Sequence, residues 1–348
     1  MKVGILTFHL GPNHGGYLQA YCLHEFITSL GHDVEFINYK NEGHHKSEIF
    51  RPWIYRRPFK LYQAWIKEKV FQKAYKTLKK SEFTTDKSKV NWNQYDVIVV
   101  GSDVVWDYNM SRLGNDSVYF GDFGLEFKGK LVSYAASCGT VDINKEIPEY
   151  VTKGLSNFDH FGVRDVTTQT IVERSIGIVP QLVVDPTWLF IEPNTEKEKI
   201  PILLVYAYDV PEAFSVKVRA YAKKHQLKIV AIGYYHGWAD VNEMRMSPLE
   251  WASVMRKATA VVSGTFHGTL YAIRCQTRFV TIYNKTIEVR VKRPLELCHL
   301  EHRMLKSPED FEGVMDESID YNSILETLNK EANSSKEYLK SVFTGTMQ

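Results

Sequence analysis

The sequence predicts an α/β protein built from two domains that each contain a parallel sheet. Strand-like apolar runs alternate with helical patterns along most of the 348 residues. The runs are apolar without strict alternation, which is typical of parallel strands covered on both faces. A charged stretch at 192–200 contains a proline and no apolar periodicity, so it divides the alternation into two series. We therefore expect an N-terminal domain over 1–195 and a C-terminal domain over 196–348.

The N-terminal domain is predicted to open with a strand over 3–8, a glycine-rich turn, a helix over 17–30 and a strand over 33–38. This order usually opens a doubly wound domain, but the turn lacks the G-x-G-x-x-G order, so a dinucleotide is not implied. Further strands are predicted over 97–100, 131–135, 158–163 and 178–184. Each ends in small or polar residues, and the carboxyl ends of parallel strands line the ligand cleft of such sheets.

In the C-terminal domain the same alternation predicts strands over 202–206, 228–233, 260–262 and 278–283, with helices over 211–225 and 247–257. A further helix should start near His267 and Gly268, directly after the strand at 260–262. Free N–H groups at a helix start attract anions, so His267 should lie where an anionic substrate binds. A polar helix over 320–339 could pack on either domain.

The composition excludes several classes of protein. A net charge of +2 gives no overall attraction to nucleic acid. No uncharged run approaches ~18 residues and no signal-peptide core follows Met1, so we expect a cytoplasmic protein that does not span a membrane. No histidine pair has the H-E-x-x-H context, so metal binding is not expected. The cysteines form no C-x-x-C pair, which argues against a zinc site or disulfide framework and fits a reducing compartment: Cys22, Cys138, Cys275 and Cys298.

A basic, aromatic insertion is predicted at 51–80. It holds ten Lys or Arg against one acid, Glu68, and seven aromatic residues are interleaved with the charges. One interpretation is an amphipathic helix whose aromatic side chains pack on the domain while its lysines are solvated. A second is a surface that meets anionic lipid headgroups or a lipid-linked acceptor, at the inner face of the membrane. A third is a site for single-stranded nucleic acid.

Six motifs follow one another between about Asn13 and about Tyr283: G-P-N-H-G-G-Y-L-Q-A-Y, Y-D-V-I-V-V-G-S-D-V-V-W, S-Y-A-A-S-C-G, F-G-V-R-D, V-V-D-P-T and S-G-T-F-H-G-T-L-Y-A-I. In this order and spacing they resemble the polysaccharide pyruvyl transferase family. The resemblance implies a GT-B-like fold, two Rossmann-type domains with parallel sheets facing a central cleft. It also implies an enzyme that transfers pyruvate from phosphoenolpyruvate to a saccharide as a ketal, releasing phosphate, in cell-surface polysaccharide synthesis. Phosphoenolpyruvate would be a co-substrate, and no cofactor is expected.

Five residues are expected to act on the phosphoenolpyruvate donor. His267 is the candidate general acid or base, because an unperturbed imidazole side chain titrates near neutral pH. The backbone N–H groups of Gly268 and Thr269 could bind phosphate at the helix start. In the family an arginine in the V-R-D context is a donor ligand, which corresponds to Arg164, and its fork suits a carboxylate or phosphate. Lys285 could supply a second cation at the same sheet edge.

The acceptor is expected to contact the first turn, Asn13, His14 and Gly15, together with Asp103 in the Gly-Ser-Asp turn. These side chains and backbone groups could bind sugar hydroxyls, but turn geometry and helix capping explain them equally well. We expect Asp185, which precedes a proline, to form a turn rather than to act as a base.

Two other classes of function stay open. The first is a GT-B glycosyltransferase with a nucleotide-sugar donor, since Thr265 stands where characterised relatives can carry an arginine that helps to hold the donor. Glu288 and Glu296 have the E-x7-E spacing of retaining enzymes, but they follow the final predicted strand and Pro294 interrupts a helix there, so we interpret the match as coincidence. The other class is a non-catalytic carbohydrate-binding or scaffold protein.

Overall fold

The computed structural model of the protein describes residues 1–50, 58–110, 116–190 and 198–344. Within these ranges the strands form two six-stranded sheets, and every strand pair is parallel. This arrangement confirms the predicted α/β class. The predicted boundary at 192–200 lies mainly outside the described residues, as does the start of the 51–80 insertion, so the two domain ranges remain predictions.

The first sheet has the strand order β2-β1-β3-β4-β5-β6. Its strands are β1 (Lys2–Leu6), β2 (Asp33–Phe36), β3 (Val97–Val100), β4 (Lys130–Ala136), β5 (His160–Val163) and β6 (Gln181–Leu182). The helices of this half are α1 (His14–Ser29), α2 (Glu42–Phe50), α3 (Pro58–Tyr75), α4 (Glu149–Leu155) and α5 (Val166–Ile176). All four residues of β3 are buried, as a central strand covered on both faces requires.

The second sheet has the order β12-β11-β10-β7-β8-β9. Its strands are β7 (Ile200–Tyr206), β8 (Lys228–Ile232), β9 (Val241–Glu243), β10 (Ala258–Ser263), β11 (Arg278–Ile282) and β12 (Met304–Leu305). The helices that follow β7 are α6 (Glu212–Lys224), α7 (Pro248–Lys257), α8 (Phe266–Arg274), α9 (Lys285–Leu297), α10 (Phe311–Asp316) and α11 (Tyr321–Thr344).

Helix α11 follows the second sheet in the chain but packs on the first. The hydroxyl of Tyr338 donates to the carbonyl of Ser133 in β4 over 2.9 Å. The hydroxyl of Ser335 accepts from the N–H of Val184 at 3.0 Å. The same buried apolar cluster contains residues of both sheets and of α11, so the two halves share a core. The predicted polar helix over 320–339 therefore packs back on the N-terminal half.

Helix α3, inside the predicted basic insertion, has an inner and an outer side. Phe71 and Tyr75 are buried, as the first interpretation of the insertion expects. Tyr62 and Trp65 are exposed, so only part of the aromatic set packs on the domain. Trp53 and Tyr55 lie outside the described residues. None of the helices in the described ranges combines the length and the apolar character needed to span a bilayer.

Candidate active site at the facing helix starts

Two helix starts meet where the halves face each other. Asn13 caps α1, and its side-chain oxygen accepts from the N–H groups of Gly15 at 3.1 Å and Gly16 at 3.3 Å. Thr265 caps α8 in the same way, because its hydroxyl accepts from the N–H of Gly268 at 3.0 Å. A Cβ added at Gly15 would collide with the ring of His267. The glycine therefore lets the start of α1 touch the side chain that the start of α8 presents.

Asp185 connects the two candidate donor-binding and catalytic side chains. Its Oδ2 lies 3.3 Å from Nη1 of Arg164 and 3.6 Å from Nε2 of His267. Its other oxygen accepts from the N–H of Thr187 at 3.1 Å and from the Thr187 hydroxyl at 2.8 Å. The side chain of Asp185 is 1% exposed and that of Arg164 5%. A residue expected only to form a turn thus holds together groups from the two halves of the chain.

Asp185 remains ionised in this environment. Burial would raise the pKa of its carboxyl, but the favourable interaction with the His267 imidazole 3.6 Å away, the charge of Arg164 and the hydrogen bond from Thr187 together outweigh burial. The pKa of Asp185 is therefore lowered well below its usual range. A buried carboxylate with these partners is a fixed negative charge against which the guanidinium and imidazole are oriented.

Arg164 and His267 each keep a polar atom unused. Among the described residues, neither Nη2 of Arg164 nor Nε2 of His267 has a hydrogen-bond partner, although both atoms are buried. Nη2 lies 4.0 Å from a carboxylate oxygen of Asp103, and the guanidinium carbon sits 4.4 Å from the ring centre of Phe266. A cation over an aromatic face is favourable. Buried donors that make no hydrogen bond are costly, and a bound anion could accept from both nitrogens.

The backbone N–H groups at the start of α8 divide into two pairs. The N–H of Gly268 donates to the Thr265 hydroxyl and that of Thr269 to the Thr265 carbonyl. The preceding N–H groups, those of Phe266 and His267, have no acceptor among the described residues. An anion at this helix start could bind the N–H groups of Phe266 and His267 without competition. To reach those of Gly268 and Thr269, it would have to displace the Thr265 oxygens.

The side chain of Thr269 lies in a network inside the protein. Its hydroxyl is within 2.8 Å of the Thr281 hydroxyl and 3.1 Å of the Thr265 carbonyl, and the residue has no exposed surface. This network ties the first turn of α8 to β11. Lys285 is the first residue of α9, directly after the Asn284 cap, and is exposed at the carboxyl end of β11.

His14, expected at the acceptor site, lies in the contact between the halves. Its Nδ1 is 3.3 Å from the hydroxyl of Tyr206 and its Nε2 is 3.1 Å from the carbonyl of Met246. Burial, aided by the charge of Lys67, lowers the pKa of His14 to about 3. The neutral ring therefore uses both nitrogens inside the protein and stacks against Trp251 at 5.7 Å.

Asp103 also bonds within the protein, as Asn13 does in capping α1. Asp103 has a φ of 70°, an αL conformation that Asp tolerates, and its side chain accepts from the N–H of Val104 at 2.9 Å. Of the residues expected to contact substrate, Arg164, Asp103, Gly15 and His267 are thus joined by contacts around Asp185. No group of three or more His, Cys, Asp or Glu within the described residues is arranged to hold a metal ion.

Sequence reasoning expected the turn that Asp185 forms with Thr187 but missed its contact with His267, and it did not single out Phe266. Asp185 directly follows the apolar run at 178–184, where polar residues at a strand end are candidates for a site, but its proline neighbour favoured a turn. Phe266 reads as an ordinary apolar residue at a helix start, and only its position under the Arg164 guanidinium shows what it contacts.

Comparison with solved structures finds the same fold in proteins of low sequence identity. S. aureus MnaA in a co-structure with UDP aligns over 100% of this chain and 98% of that chain, at a TM-score of 0.55 and 8% identity. UDP-GlcNAc 2-epimerase from Neisseria meningitidis, bound to UDP-GlcNAc, aligns over 99% of this chain and 100% of that chain, at a TM-score of 0.52 and 9% identity. Arabidopsis thaliana UGT89C1 complexed with quercetin aligns over 97% of this chain and 98% of that chain, at a TM-score of 0.53 and 8% identity. The chain is therefore a GT-B-like α/β protein, and at these identities the likeness shows the fold alone.

The family is defined by a separate comparison. The family model described as polysaccharide pyruvyl transferase matches residues 13–286. The matched range includes both helix starts together with Arg164 and Asp185. The chain belongs to the polysaccharide pyruvyl transferase family. Among curated protein sequences, no significant match to the chain is found.

Proposed function

We propose that the chain is a ketal pyruvyltransferase that moves pyruvate from phosphoenolpyruvate to a saccharide acceptor and releases phosphate, in the synthesis of a cell-surface polysaccharide. The observation that carries the proposal is the pair of buried nitrogens on Arg164 and His267, placed around the Asp185 carboxylate, that make no hydrogen bond to the described residues. Family membership supports the transferase class. We further propose that the enzyme works in the cytoplasm, consistent with four free cysteines, and needs no cofactor beyond its co-substrate.

The reaction makes specific demands on the site. The methylene carbon of phosphoenolpyruvate must gain a proton, two sugar hydroxyls must bond to the central carbon, and the bond from that carbon to the bridging oxygen must break, so that the oxygen leaves with the phosphate. Of the two protons lost by the hydroxyls, one ends on the new methyl group and the other on phosphate or solvent. One general acid–base group that both gives and takes a proton meets this requirement. His267 is that group in our assignment.

Arg164 would bind the carboxylate or phosphate of the donor. Its Nη1 faces Asp185, so the unused Nη2 is the atom that can donate to a ligand oxygen. The ring of Phe266 supports the guanidinium from one side. The N–H groups of Phe266 and His267 at the start of α8 would add two donors for the second anionic group. Asp185 acts as a positioning residue, since it is buried and contacts the side chains of both Arg164 and His267.

The decisive test is a thermal-shift titration of the protein with phosphoenolpyruvate beside a panel of nucleotide sugars. A ligand that binds only the folded state raises the unfolding temperature by mass action. We expect stabilisation by phosphoenolpyruvate that disappears in Arg164→Ala and persists in the control Arg219→Ala, an exposed arginine of α6. Stabilisation by a nucleotide sugar alone would overturn the proposal and favour glycosyl transfer.

A second measurement separates binding from chemistry. The variant His267→Gln should keep its stabilisation by phosphoenolpyruvate but release phosphate about 10²–10⁴ times more slowly in the presence of acceptor, because a general acid or base contributes about that factor. Equal phosphate release by His267→Gln and the wild-type protein would mean that another residue carries the proton.

A further inference from the structure

We propose that the outer face of α3 is a docking surface for anionic lipid headgroups. We define this surface as Tyr62, Trp65, Lys69, Lys73 and Lys76. All five side chains are exposed, and the aromatic pair precedes the lysines. Lys76 directly follows the last residue of α3, and the other four residues belong to the helix. Docking requires nothing from the proposed reaction, so the two proposals can fail separately.

The opposite face of α3 fixes the helix to the protein. Gln63, Lys67, Phe71 and Tyr75 recur every four residues and are buried. The ammonium of Lys67 donates to the carbonyl of Gly233 in the C-terminal half over 3.0 Å and lies 4.7 Å from the ring centre of Tyr234. The helix is therefore held against both halves of the molecule, and a ligand on its outer face would meet a surface that is already ordered.

The outer face presents large aromatic rings to solvent. Tyr62 is 52% exposed and Trp65 is 54% exposed, and their rings stack with centres 6.2 Å apart. The ammonium of Lys69 lies 4.2 Å from the ring centre of Trp65. Amphipathic rings of this type are enriched at the boundary between lipid tails and headgroups, where one end is apolar and the other wet.

The charge of the helix complements an anionic bilayer. Between residues 61 and 80 there are six lysines and a single acid, Glu68, whose carboxylate accepts a hydrogen bond from Gln72 at 2.6 Å. Basic residues beside exposed Trp and Tyr are the pattern of helices that lie flat on anionic membranes. Single-stranded nucleic acid is bound in a basic groove with stacking platforms, whereas this surface is the convex side of one helix. A planar lipid surface therefore fits it better.

If the proposed function holds, docking would bring the active site close to an acceptor carried on a lipid. Lys67 on the inner face of α3 and His14 at the start of α1 both contact Gly233. Helix α3, which carries the docking surface, and helix α1, whose Gly15 touches His267, thus both contact Gly233.

The test is co-sedimentation of the full-length protein with vesicles. We expect binding to vesicles of phosphatidylglycerol mixed with phosphatidylcholine, little binding to phosphatidylcholine alone, and loss of binding at high salt. Since each basic residue near an anionic surface contributes about 1 kcal/mol, Lys69→Glu with Lys73→Glu should lower the partition coefficient at least about tenfold. Tyr62→Ala with Trp65→Ala should lower it severalfold at low salt.

The matched control is Arg219→Glu with Lys223→Glu, which has the same four-residue spacing on the exposed face of α6. This pair should bind vesicles like the wild-type protein, and the unfolding temperature of each variant shows that it is folded. An equal loss in the control pair would mean that overall charge alone drives binding and would overturn the proposal. So would the absence of binding to anionic vesicles at low salt, or binding of a single-stranded oligonucleotide in its place.

Discussion

At the scale of single residues, Asp185 matters because of where its two partners come from. Arg164 follows β5 in the first half of the chain, whereas His267 belongs to α8 in the second half. Both are oriented by one buried carboxylate oxygen. The geometry of the candidate site therefore exists only when the two halves are closed on each other, and any residue that sets their separation also sets the position of His267.

Gly15 is such a residue. A Cβ at this position would collide with the His267 ring, so Gly15→Ala should displace the imidazole, cost about 1–3 kcal/mol of stability and lower phosphate release. The matched control is Gly313→Ala in α10, where an added Cβ meets no atom within 4 Å. That variant should be neutral or stabilise the protein by about 0.4–1 kcal/mol. Calorimetry of both variants tests the contact, and wild-type stability and turnover in Gly15→Ala would contradict it.

At the scale of elements, α8 is the helix whose start defines the site. Thr265 caps it through Gly268, and Thr269 ties its first turn to Thr281 in β11. His267 is the second residue of the helix, so it lies between the capping residue Thr265 and Thr269, whose hydroxyl bonds to Thr281. The first turn of α8 is thus held by contacts at both ends, while the N–H groups of Phe266 and His267 have no acceptor among the described residues.

Removing the Thr265 cap should therefore affect function as well as stability. Thr265→Val keeps the shape of the side chain but loses the acceptor for Gly268, which should cost about 1 kcal/mol and lower turnover. Ser247→Ala removes the cap of α7, where the hydroxyl accepts from the N–H of Glu250. It should cost a similar amount and leave turnover unchanged. Urea unfolding and phosphate-release assays of the two variants test this difference, and equal turnover would show that the α8 cap is only structural.

The central elements could be predicted from the sequence because each carries its own signal. The buried strand at 97–100 is a local pattern and occurs as predicted. The helix predicted over 17–30 begins earlier, at His14, so Gly15 and Gly16 belong to its first turn and the prediction of a preceding glycine-rich turn was wrong there. The short edge strands β9 and β12 lack an apolar run and were not predicted. Only two residues of the predicted strand at 178–184 pair as β6.

The candidate site was harder to predict because its contacts cross the molecule. No local pattern shows that Asp185 meets His267, since the two residues are far apart in sequence and come together only when both sheets are placed. The internal role of His14 depends likewise on Tyr206 and Met246 in the other half. Residues at a strand end or helix start can be identified as candidates, but their partners follow from the tertiary fold.

At the scale of the whole molecule, the two halves are joined by packing as well as by contacts at the cleft. One apolar cluster includes Val132 and Tyr134 of β4 together with Leu339 of α11. The side chain of Tyr338 lies so close to Gly162 in β5 that an added Cβ there would be 2.7 Å from it. The stability of the first sheet therefore depends on residues that follow the second.

This dependence can be measured with Leu339→Ala. Leu339 has no exposed surface, so truncation should cost about 2–5 kcal/mol. Hydrogen exchange should become faster in β4, in the N-terminal half, although the substitution is in α11. Asn333→Ala, at an exposed position of the same helix, should leave both quantities unchanged. Faster exchange confined to the C-terminal half would contradict the shared core.

The stability of the whole protein should also fall in mild acid. Burial lowers the pKa of His9 to about 4 and that of His14 to about 3, against about 6.5 in the unfolded chain. Between these values the unfolded chain binds more protons, so stability is full above about pH 6.5 and declines as the pH falls. At pH 5 each of the two histidines should lower the free energy of unfolding by about 2 kcal/mol relative to its value at neutral pH. Asp185 should not contribute there, because its lowered pKa preserves its stabilising effect until the pH falls below about 4.

Unfolding temperatures between pH 7 and pH 5 test the contribution of the buried histidines. The fall should be smaller in His14→Gln than in the wild-type protein, and His302→Gln, at an exposed position, should match the wild type. An equal fall in all three proteins would show that His14 is protonated in the folded state.

The position of α11 in the chain also affects how the protein is made. The strands of the first sheet leave the ribosome early, but the helix that covers Ser133 and Val184 is synthesised only after the entire second sheet. At about 5–20 residues per second, the interval lasts at least several seconds. During that time the nascent chain carries an uncovered apolar surface next to β4, so this protein should depend on chaperones more than one whose N-terminal domain is completed by its own residues.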